Sequence, residues 1–172
     1  MELIEIIEKR FSARKYTDKK IEIEKENKII EALRLAPSGK NTQPWKFILV
    51  KTDEIKQKMK KACKGQVSVG EAQLLIVGCG YPEKAYTAMG GYWNSVTCDV
   101  SIALTQAMLV AKEVGLDTCW IGAFYEDDVK DILEIPENIM VVSILTVGYS
   151  NEQSIKTRLK QEDIVCYEKF YE

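Results

Sequence analysis

Residues 99–124 read DVSIALTQAMLVAKEVGLDTCWIGAF, and the rest of the chain can be placed around this stretch. Its first part belongs to a helix predicted over residues 94–114, for which Gly115 is a natural C-terminal stop. A helix that is apolar on nearly all sides is a buried one. Apolar side chains nearly encircle this helix, at Val100, Ala103, Leu104, Ala107, Met108 and Ala111. The stretch therefore predicts a long central helix, followed by a short strand that ends within residues 119–124.

Helices and strands alternate on both sides of the central helix. Short runs rich in β-branched and aromatic residues predict buried strands at Trp45–Val50, 74–78 and 141–147. Apolar residues at helical spacing predict helices at 2–9, 24–35, 53–63 and 127–133. Leu3, Ile6 and Ile7 share one face of the first of these helices. Strands separated by helices predict an α+β or α/β fold, a three-layer α-β-α sandwich around one main sheet, formed by residues 1–172 as a single domain.

The absence of histidine is the most restrictive feature of the composition. The chain has 172 residues and a formal net charge of −2, from 24 basic and 26 acidic residues. Without an imidazole, the Ser-His-Asp triad, the Cys-His pair and every histidine metal site are excluded. The near-neutral charge predicts neither a nucleic-acid nor a membrane partner. Any chemistry must then use a cofactor, carboxylates, lysines, tyrosines, thiols or bound water.

The five cysteines predict thiols in a reducing compartment. Their number is odd and none of them forms a CxxC pair, so we expect neither a disulfide framework nor a thiolate metal site. Cys79 and Cys98 lie in or beside apolar runs, which favours buried thiols. The first ten residues, MELIEIIEKR, lack the apolar core of a signal peptide, and no apolar run reaches the roughly 18 residues of a membrane span. We therefore expect a cytoplasmic protein that binds no metal.

A first candidate site is the segment that holds Arg10, Ser12 and Arg14. The sequence contains no GxGxxG, GxxxxGK[ST] or GxSxG motif, so the common nucleotide and nucleophile signatures do not apply. Alternate residues of an extended segment point the same way, so these three side chains can face one anion. Two guanidinium groups and a hydroxyl suit a phosphate or a carboxylate. On this segment alone, a solvent-exposed linker between helices remains the favoured interpretation.

A second candidate site is the loop PSGKNTQPW at residues 37–45, directly before a predicted strand. It concentrates polar side chains between two prolines, and amides in a fixed loop can read the edge of a heteroaromatic ring. A hydrogen-bonded turn is the ordinary alternative. Farther along the chain, Gly122 and Ala123 would let the backbone approach a flat ligand closely. Lys156 and Arg158 form a basic pair in the tail that is compatible with anion binding or with simple solvation.

Taken together and in this order, these segments resemble the nitroreductase family of FMN flavoproteins. The similar segments span nearly the whole chain: RFSARKY at 10–16, APSGKNTQPWKF at 36–47, the stretch 99–124, and the VGYS…KTR ending at 147–158. The resemblance implies an α+β fold of the nitroreductase type, with a mixed or antiparallel sheet. It also implies an entwined homodimer that binds two FMN molecules between its subunits, with the tail 149–172 completing the flavin site or the dimer.

The resemblance further implies roles for individual residues. Arg10 and Arg14 look like ligands of the flavin phosphate and pyrimidine side, with Phe11 and Ser12 in the same segment. Arg158, helped by Lys156, would close on the phosphate. The partner subunit would contribute a loop with Pro37, Ser38, Asn41 and Gln43. The backbone of Ile121, Gly122 and Ala123 would face the flavin N5 edge, with Gln66 as a further contact to the isoalloxazine ring.

The chain departs from the family pattern in two places. Some members carry a Glu-Gly pair where this chain has Gly122-Ala123, so a contact that needs that carboxylate is missing here. The segment 80–94 is also too short for the extra helices that cap the active site of longer members. The short segment bears on the substrate range more than on flavin binding.

The resemblance predicts an enzyme in which the flavin carries the redox chemistry. Electrons would pass from NAD(P)H through flavin N5 to a nitroaromatic, a quinone or a similar electron-poor compound, with ping-pong kinetics, and the protein would supply binding, orientation and electrostatics. No histidine is needed for that chemistry. Two alternatives stay open at this point: a non-enzymatic flavin-binding or flavin-handling protein, and an anion- or nucleotide-binding structural dimer built from the basic clusters.

Overall fold

The computed structural model describes residues 2–153 and 157–170. In chain order, its α-helices are α1 (Leu3–Lys9), α2 (Ile23–Arg34), α3 (Asp53–Ala62), α4 (Val67–Glu71), α5 (Val96–Glu113) and α6 (Glu126–Leu133). The strands are β1 (Trp45–Val50), β2 (Leu74–Gly80), β3 (Asp117–Ile121) and β4 (Met140–Gly148). Short 3₁₀ turns lie at Gly39–Asn41 and Gln161–Asp163. The predicted elements are therefore present, with α5 beginning two residues later than expected and α4 added to them.

One antiparallel sheet with the order β1-β2-β4-β3 forms the middle layer. The central strand β2 is buried along its whole length, as expected for a run of apolar residues that is covered on both faces. An α/β fold would need parallel neighbours, so the antiparallel ladders decide for the α+β class. The only parallel pairing described is an isolated bridge between Ser12 and Thr118, beside the edge strand β3.

Two apolar cores, one on each face of the sheet, give the predicted three-layer sandwich. On one face, Leu74 and Ile76 of β2 pack with the buried side of α5 and with α2. On the other face, Leu75 and Val77 pack against α3, α4 and α6. Trp45 and Trp120 are half-buried against the α5 core.

Glycines in β2 let α5 lie close to the sheet. A Cβ atom at Gly80 would stand 2.4 Å from Cγ2 of Val96, and one at Gly78 would stand 2.8 Å from side-chain carbons of Val100 and Leu104. No side chain fits at such distances without displacing the helix. The small residues of β2 thus set the separation between the sheet and α5.

The apolar surfaces of α5 and α1 are only partly buried in the single chain. The helix α5 buries only one side, and an outer face remains that consists of Cys98, Ser101, Ile102, Thr105, Gln106 and Leu109 and borders a groove of about 470 Å³. Ile102 on this face is 43% exposed. On α1, Ile6 is buried but Leu3 and Ile7 are exposed. Both helices therefore present apolar surface that the described residues leave uncovered.

The thiols are distributed through both cores and the surface. Each of the five cysteines is a thiol rather than half of a disulfide, and Cys63, Cys79 and Cys119 are buried. Cys98, predicted to be buried, is only half-buried because it lies on the outer face of α5. Burial raises the pKa of the Cys63 and Cys79 thiols to about 11, so both stay protonated at neutral pH.

Candidate functional site

The segment 10–14 follows α1 and runs extended beside the edge strand β3. Arg10 takes the extended conformation directly after the helix, and the amide of Ala13 donates to the carbonyl of Thr118 at 3.0 Å. Phe11 and Ala13 are buried, whereas Arg10 and Ser12 are half-buried and Arg14 is exposed. The alternation predicted from the sequence is present. Arg10 and Arg14 therefore belong to the outward side of one short segment, and the half-buried Ser12 lies between them.

A carboxylate from the distant part of the chain fixes the end of this segment. Oε2 of Glu152 accepts the backbone amides of Arg14 at 2.6 Å and of Lys15 at 3.0 Å. These two backbone hydrogen bonds hold the pKa of Glu152 below its usual range. The role of Glu152 was not predicted from the sequence. It lies 138 residues from Arg14, and no motif around either residue indicates that the two are in contact.

A buried thiol lies under the same segment. Burial raises the pKa of Cys119, while the charge of Arg14 and a hydrogen bond with Ser12 oppose that rise. The carbonyl of Cys119 accepts from Thr146 Oγ1 at 3.3 Å, and Thr146 is linked in turn to the hydroxyl of Tyr16 at 2.7 Å. Burial raises the pKa of Tyr16 well above its ordinary value, so this hydroxyl stays protonated. The segment with Arg10, Ser12 and Arg14 is thus packed on a hydrogen-bonded group formed by Cys119, Thr146 and Tyr16.

The stretch Ile121–Gly122–Ala123 leaves the sheet where β3 ends. The ladder with β4 stops at the pair of Ile121 and Ile144, and Gly122 and Ala123 beyond it are exposed. The side-chain hydroxyl of Ser143 donates to the carbonyl of Ile121 at 2.8 Å. A Cβ atom at Gly122 would meet only the Trp120 ring, at 3.9 Å, so there is open space above this backbone.

Gln66, which the resemblance implies as a contact to the isoalloxazine ring, lies against this stretch. Its Nε2 donates to the carbonyl of Ala123 at 2.9 Å and to the carbonyl of Cys63 at 2.9 Å. The first hydrogen bond ties the start of α4 to the residues that follow β3, and the second ties it to the end of α3. The side-chain amide of Gln66 therefore helps to position the exposed backbone at Ala123.

The polar loop that follows Pro37 is tightly wound and strained. Lys40, Asn41 and Gln43 all have positive φ angles, of 49°, 57° and 48°. Non-glycine residues seldom take this left-handed conformation, and strain of this kind concentrates at functional sites. The hydroxyl of Ser38 accepts the amide of Gln43 at 2.9 Å, and Nε2 of Gln43 donates to Oδ1 of Asn41 at 3.2 Å. The loop therefore holds two exposed amide side chains in a defined arrangement.

The structure does not bring the two candidate sites together within one chain. The loop leads into β1, whereas the Arg10–Arg14 segment lies beside β3, and these are opposite edges of the sheet. Three interstrand spacings, about 14 Å in all, separate the edges. Arg158 is exposed, and the contact described for its guanidinium is with the carbonyl of Thr157, at 2.8 Å. Lys156 lies outside the described residues.

Comparison with known proteins gives the family. A sequence profile described as "Nitroreductase family" matches residues 7–95 and 80–149. The chain belongs to the nitroreductase family.

Two solved structures share both sequence and fold with this chain, and an FMN reductase shares its sequence. The structure of a nitroreductase family protein from Clostridium difficile 630 is 32% identical and has a TM-score of 0.89, with 99% of this chain and 100% of that one covered. The structure of an FMN-dependent nitroreductase from Clostridium difficile R20291 is 30% identical, with a TM-score of 0.82 and coverage of 97% and 99%. An FMN reductase [NAD(P)H] of Bacillus subtilis is 30% identical, over 95% of this chain and 72% of its own length.

The connection between β2 and α5 is short in this nitroreductase. Residues 81–95, all of which the structure describes, contain no helix. They form a turn at residues 89–93 in which the amide of Met89 and the carbonyl of Trp93 are 2.9 Å apart, and Tyr92 at its tip is 85% exposed. The loop predicted at residues 81–95 is confirmed.

The described residues contain neither a metal-ligand cluster nor a membrane-spanning helix. Within residues 2–153 and 157–170 there is no group of three Cys, Asp or Glu side chains arranged to hold a metal ion. In the same ranges no helix has the length and apolar character needed to cross a membrane.

Proposed function

We propose that this nitroreductase passes electrons from NAD(P)H to nitroaromatic, quinone or similar electron-poor compounds in ping-pong order, at FMN sites formed between two copies of the chain. Its family makes it an NAD(P)H-dependent oxidoreductase that uses FMN. The substrate class, the kinetic order and the shared site are the proposal. The observation that carries it is the row of Arg10, Ser12 and Arg14 on the same sheet edge as the exposed backbone of Gly122 and Ala123.

The groups on this edge fit FMN. Two guanidinium groups and a hydroxyl supply charge and hydrogen bonds for a phosphate or for the polar pyrimidine edge of the ring. The backbone of Gly122 and Ala123, with open space above it, suits the approach of a flat ring. When bound, the flavin supplies hydride acceptance and donation at N5. Arg10 and Arg14 would stabilise the negative charge that reduction places on the ring system.

A second copy of the chain would complete the site. The amides of Asn41 and Gln43 lie at the opposite sheet edge, so they cannot join the Arg10 row of their own chain. The outer face of α5 and the exposed Leu3 and Ile7 of α1 supply apolar surface for a partner. In such a homodimer, the loop of one subunit would meet the flavin held by the other.

The tail adds a further reason to propose the dimer. Tyr167 is 73% exposed and Phe170 is 88% exposed, although large aromatic side chains usually find cover in a stable assembly. We infer that this segment packs on the partner subunit, where Arg158 would approach the phosphate site. The tail would then complete the flavin site or the dimer.

The protein's share of the chemistry needs no imidazole. Side chains and backbone hold and orient the ring, and solvent at the exposed Gly122–Ala123 stretch can supply protons. The absence of a Glu-Gly pair at this stretch removes one carboxylate from the neighbourhood of the acceptor. We therefore expect activity to show no transition from an enzyme imidazole between pH 5 and 8.

A flavin titration and an anaerobic reduction test the proposal. The purified protein is expected to be yellow or to take up FMN in stoichiometric amounts, and NADH or NADPH is expected to bleach the visible band without oxygen. Double-reciprocal plots at several acceptor concentrations should give parallel lines. A colourless protein that takes up no FMN would overturn the proposal.

A non-enzymatic flavin-binding protein is the second candidate function. It is favoured by the short 81–95 segment and by the missing carboxylate at residues 122–123. Tight FMN binding without rapid bleaching by either nicotinamide would support it, and rapid bleaching would exclude it.

A further inference from the structure

A buried carboxylate on α5 connects the strained loop with the segment before the helix. Asp99 lies in the first turn of α5 and is 2% exposed. Its Oδ1 accepts the backbone amide of Gly39 at 2.9 Å, and its Oδ2 accepts the hydroxyl of Ser95 at 2.6 Å. Ser95, which is fully buried, in turn accepts the amide of Tyr86 at 3.1 Å and donates its own amide to the carbonyl of Tyr86 at 2.8 Å. One side chain thus anchors two separate segments.

The loop needs such an anchor because of its backbone. Three of its non-glycine residues hold left-handed conformations, which are unfavourable unless the surroundings enforce them. Gly39 is held closely, since a Cβ atom there would stand 3.0 Å from Cβ of Tyr86 and 3.1 Å from Oγ of Ser95. Within the described residues, Asp99 forms no ion pair. Its two carboxylate oxygens are instead paired with the Gly39 amide and the Ser95 hydroxyl.

We propose that Asp99 is a positioning residue for the flavin site: through the Gly39 amide it holds the Ser38–Gln43 loop in the conformation that presents Asn41 and Gln43 to the flavin of the partner subunit. The same carboxylate, through Ser95 and its hydrogen bonds to Tyr86, fixes the position of the 81–95 segment beside that loop. The flavin part of this inference rests on the proposed function. The loop-holding part concerns this chain alone.

The first experiment measures the loop without flavin. Hydrogen exchange of the apo protein, followed by mass spectrometry, is compared for wild type, Asp99→Ala, Asp99→Asn and Glu26→Ala. Glu26 is the matched control, because it is a buried carboxylate on α2 that pairs with Lys51 and is remote from the loop. In Asp99→Ala, amides of residues 38–43 are expected to exchange about tenfold faster or more, the loss that follows when one hydrogen bond to a charged acceptor is removed.

Asparagine is the conservative replacement. Its Oδ1 can still accept the Gly39 amide and its Nδ2 can donate to Ser95, so Asp99→Asn should keep exchange within about threefold of wild type. Glu26→Ala should leave the 38–43 amides unchanged. If Asp99→Ala does not fold, Asp99→Ser is measured in its place. The serine side chain is polar but shorter than that of aspartate, so its hydroxyl does not reach the Gly39 amide.

The second experiment measures FMN binding of the same variants by fluorescence titration, with the apo melting temperature recorded for each. Asp99→Ala is expected to raise the FMN Kd about tenfold or more, and Asp99→Asn is expected to restore it to within about threefold. A merely structural role would lower the melting temperature of Asp99→Ala and Glu26→Ala alike and leave the FMN Kd of both unchanged.

The outcomes separate the two proposals. If wild type takes up no FMN, the proposed function fails, while the exchange experiment still decides whether Asp99 holds the loop. If wild type binds FMN but Asp99→Ala changes neither the 38–43 exchange nor the FMN Kd, the inference about Asp99 is wrong and the proposed function stands. Equal weakening of FMN binding by Glu26→Ala would also overturn it.

Discussion

Replacing Ile102 by aspartate should separate the two subunits of the proposed dimer and release the flavin. Ile102 lies at the middle of the outer face of α5, where 43% of it is exposed in the single chain. Covering that fraction contributes about 1 kcal/mol per subunit, since full burial of an isoleucine side chain contributes about 1.5–3 kcal/mol. A two-fold axis would repeat the loss in both subunits.

The introduced carboxylate adds a larger penalty. An ion transferred from water to an interface without a partner costs several kcal/mol, and the symmetry again doubles it. Taking at least about 2 kcal/mol per carboxylate, the dimer loses about 6 kcal/mol or more in total. At 1.4 kcal/mol per factor of ten, the dissociation constant of the dimer should rise by roughly four orders of magnitude.

Sedimentation velocity and FMN titration measure the two consequences separately. The Ile102→Asp variant should sediment as a monomer at micromolar concentration and bind FMN far more weakly than wild type, because each site then lacks the loop of the other subunit. Ile30→Asp is the matched control, since Ile30 is 38% exposed on α2 and off the outer face of α5. A monomeric Ile102→Asp variant that keeps wild-type FMN affinity would refute the shared site.

Three further predictions follow from single positions. Arg14→Ala should raise the FMN Kd about tenfold or more in a fluorescence titration, because it removes a charged donor, whereas Lys28→Ala on the exposed side of α2 should leave it within about twofold. Gly80→Ala should lower the free energy of unfolding in urea by about 1–3 kcal/mol, since its Cβ would stand 2.4 Å from a methyl carbon of α5. The folded state keeps protons on Cys63 and Cys79 up to a pKa of about 11, whereas the unfolded chain releases them near pH 9, so stability should fall between pH 9 and 11. Denaturant titrations across that range should show a slope of up to about 1.4 kcal/mol per pH unit for each thiol, and alanine variants should flatten it.

The elements that the sequence predicted correctly are those with a local signal. The strand β2 is a run of apolar residues buried on both faces, and α5 has small and aliphatic residues at helical spacing. The helix α4 was missed because five residues, Val67–Glu71, are too few to show a period. The partial burial of α5 was also missed, since an apolar side chain looks the same in sequence whether its own chain or a second copy covers it.

The candidate site divides in the same way. The alternation in residues 10–14 predicted which residues are buried and which are more exposed. Gln66 stays a predicted contact to the isoalloxazine ring, and its hydrogen bond to Ala123 was not predicted. Glu152 and Asp99 were not predicted. Glu152 accepts a hydrogen bond from the amide of Arg14, which lies 138 residues away in sequence. Asp99 has the sequence position of an ordinary acidic residue in the first turn of a helix. Only folding brings each carboxylate to its backbone partner.

The Arg10–Arg14 segment and the Asn41–Gln43 loop lie at opposite edges of one sheet. This separation links flavin binding to formation of the proposed dimer. If the Arg10 row of one subunit and the Asn41–Gln43 loop of the other hold the same ring, FMN binds the dimer better than it binds the monomer. By linkage, the flavin must then stabilise the dimer by the same factor by which the dimer strengthens flavin binding. Apparent FMN affinity should therefore rise with protein concentration, and added FMN should shift a dilute sample from monomer to dimer. A chain that completed its site alone would show neither dependence.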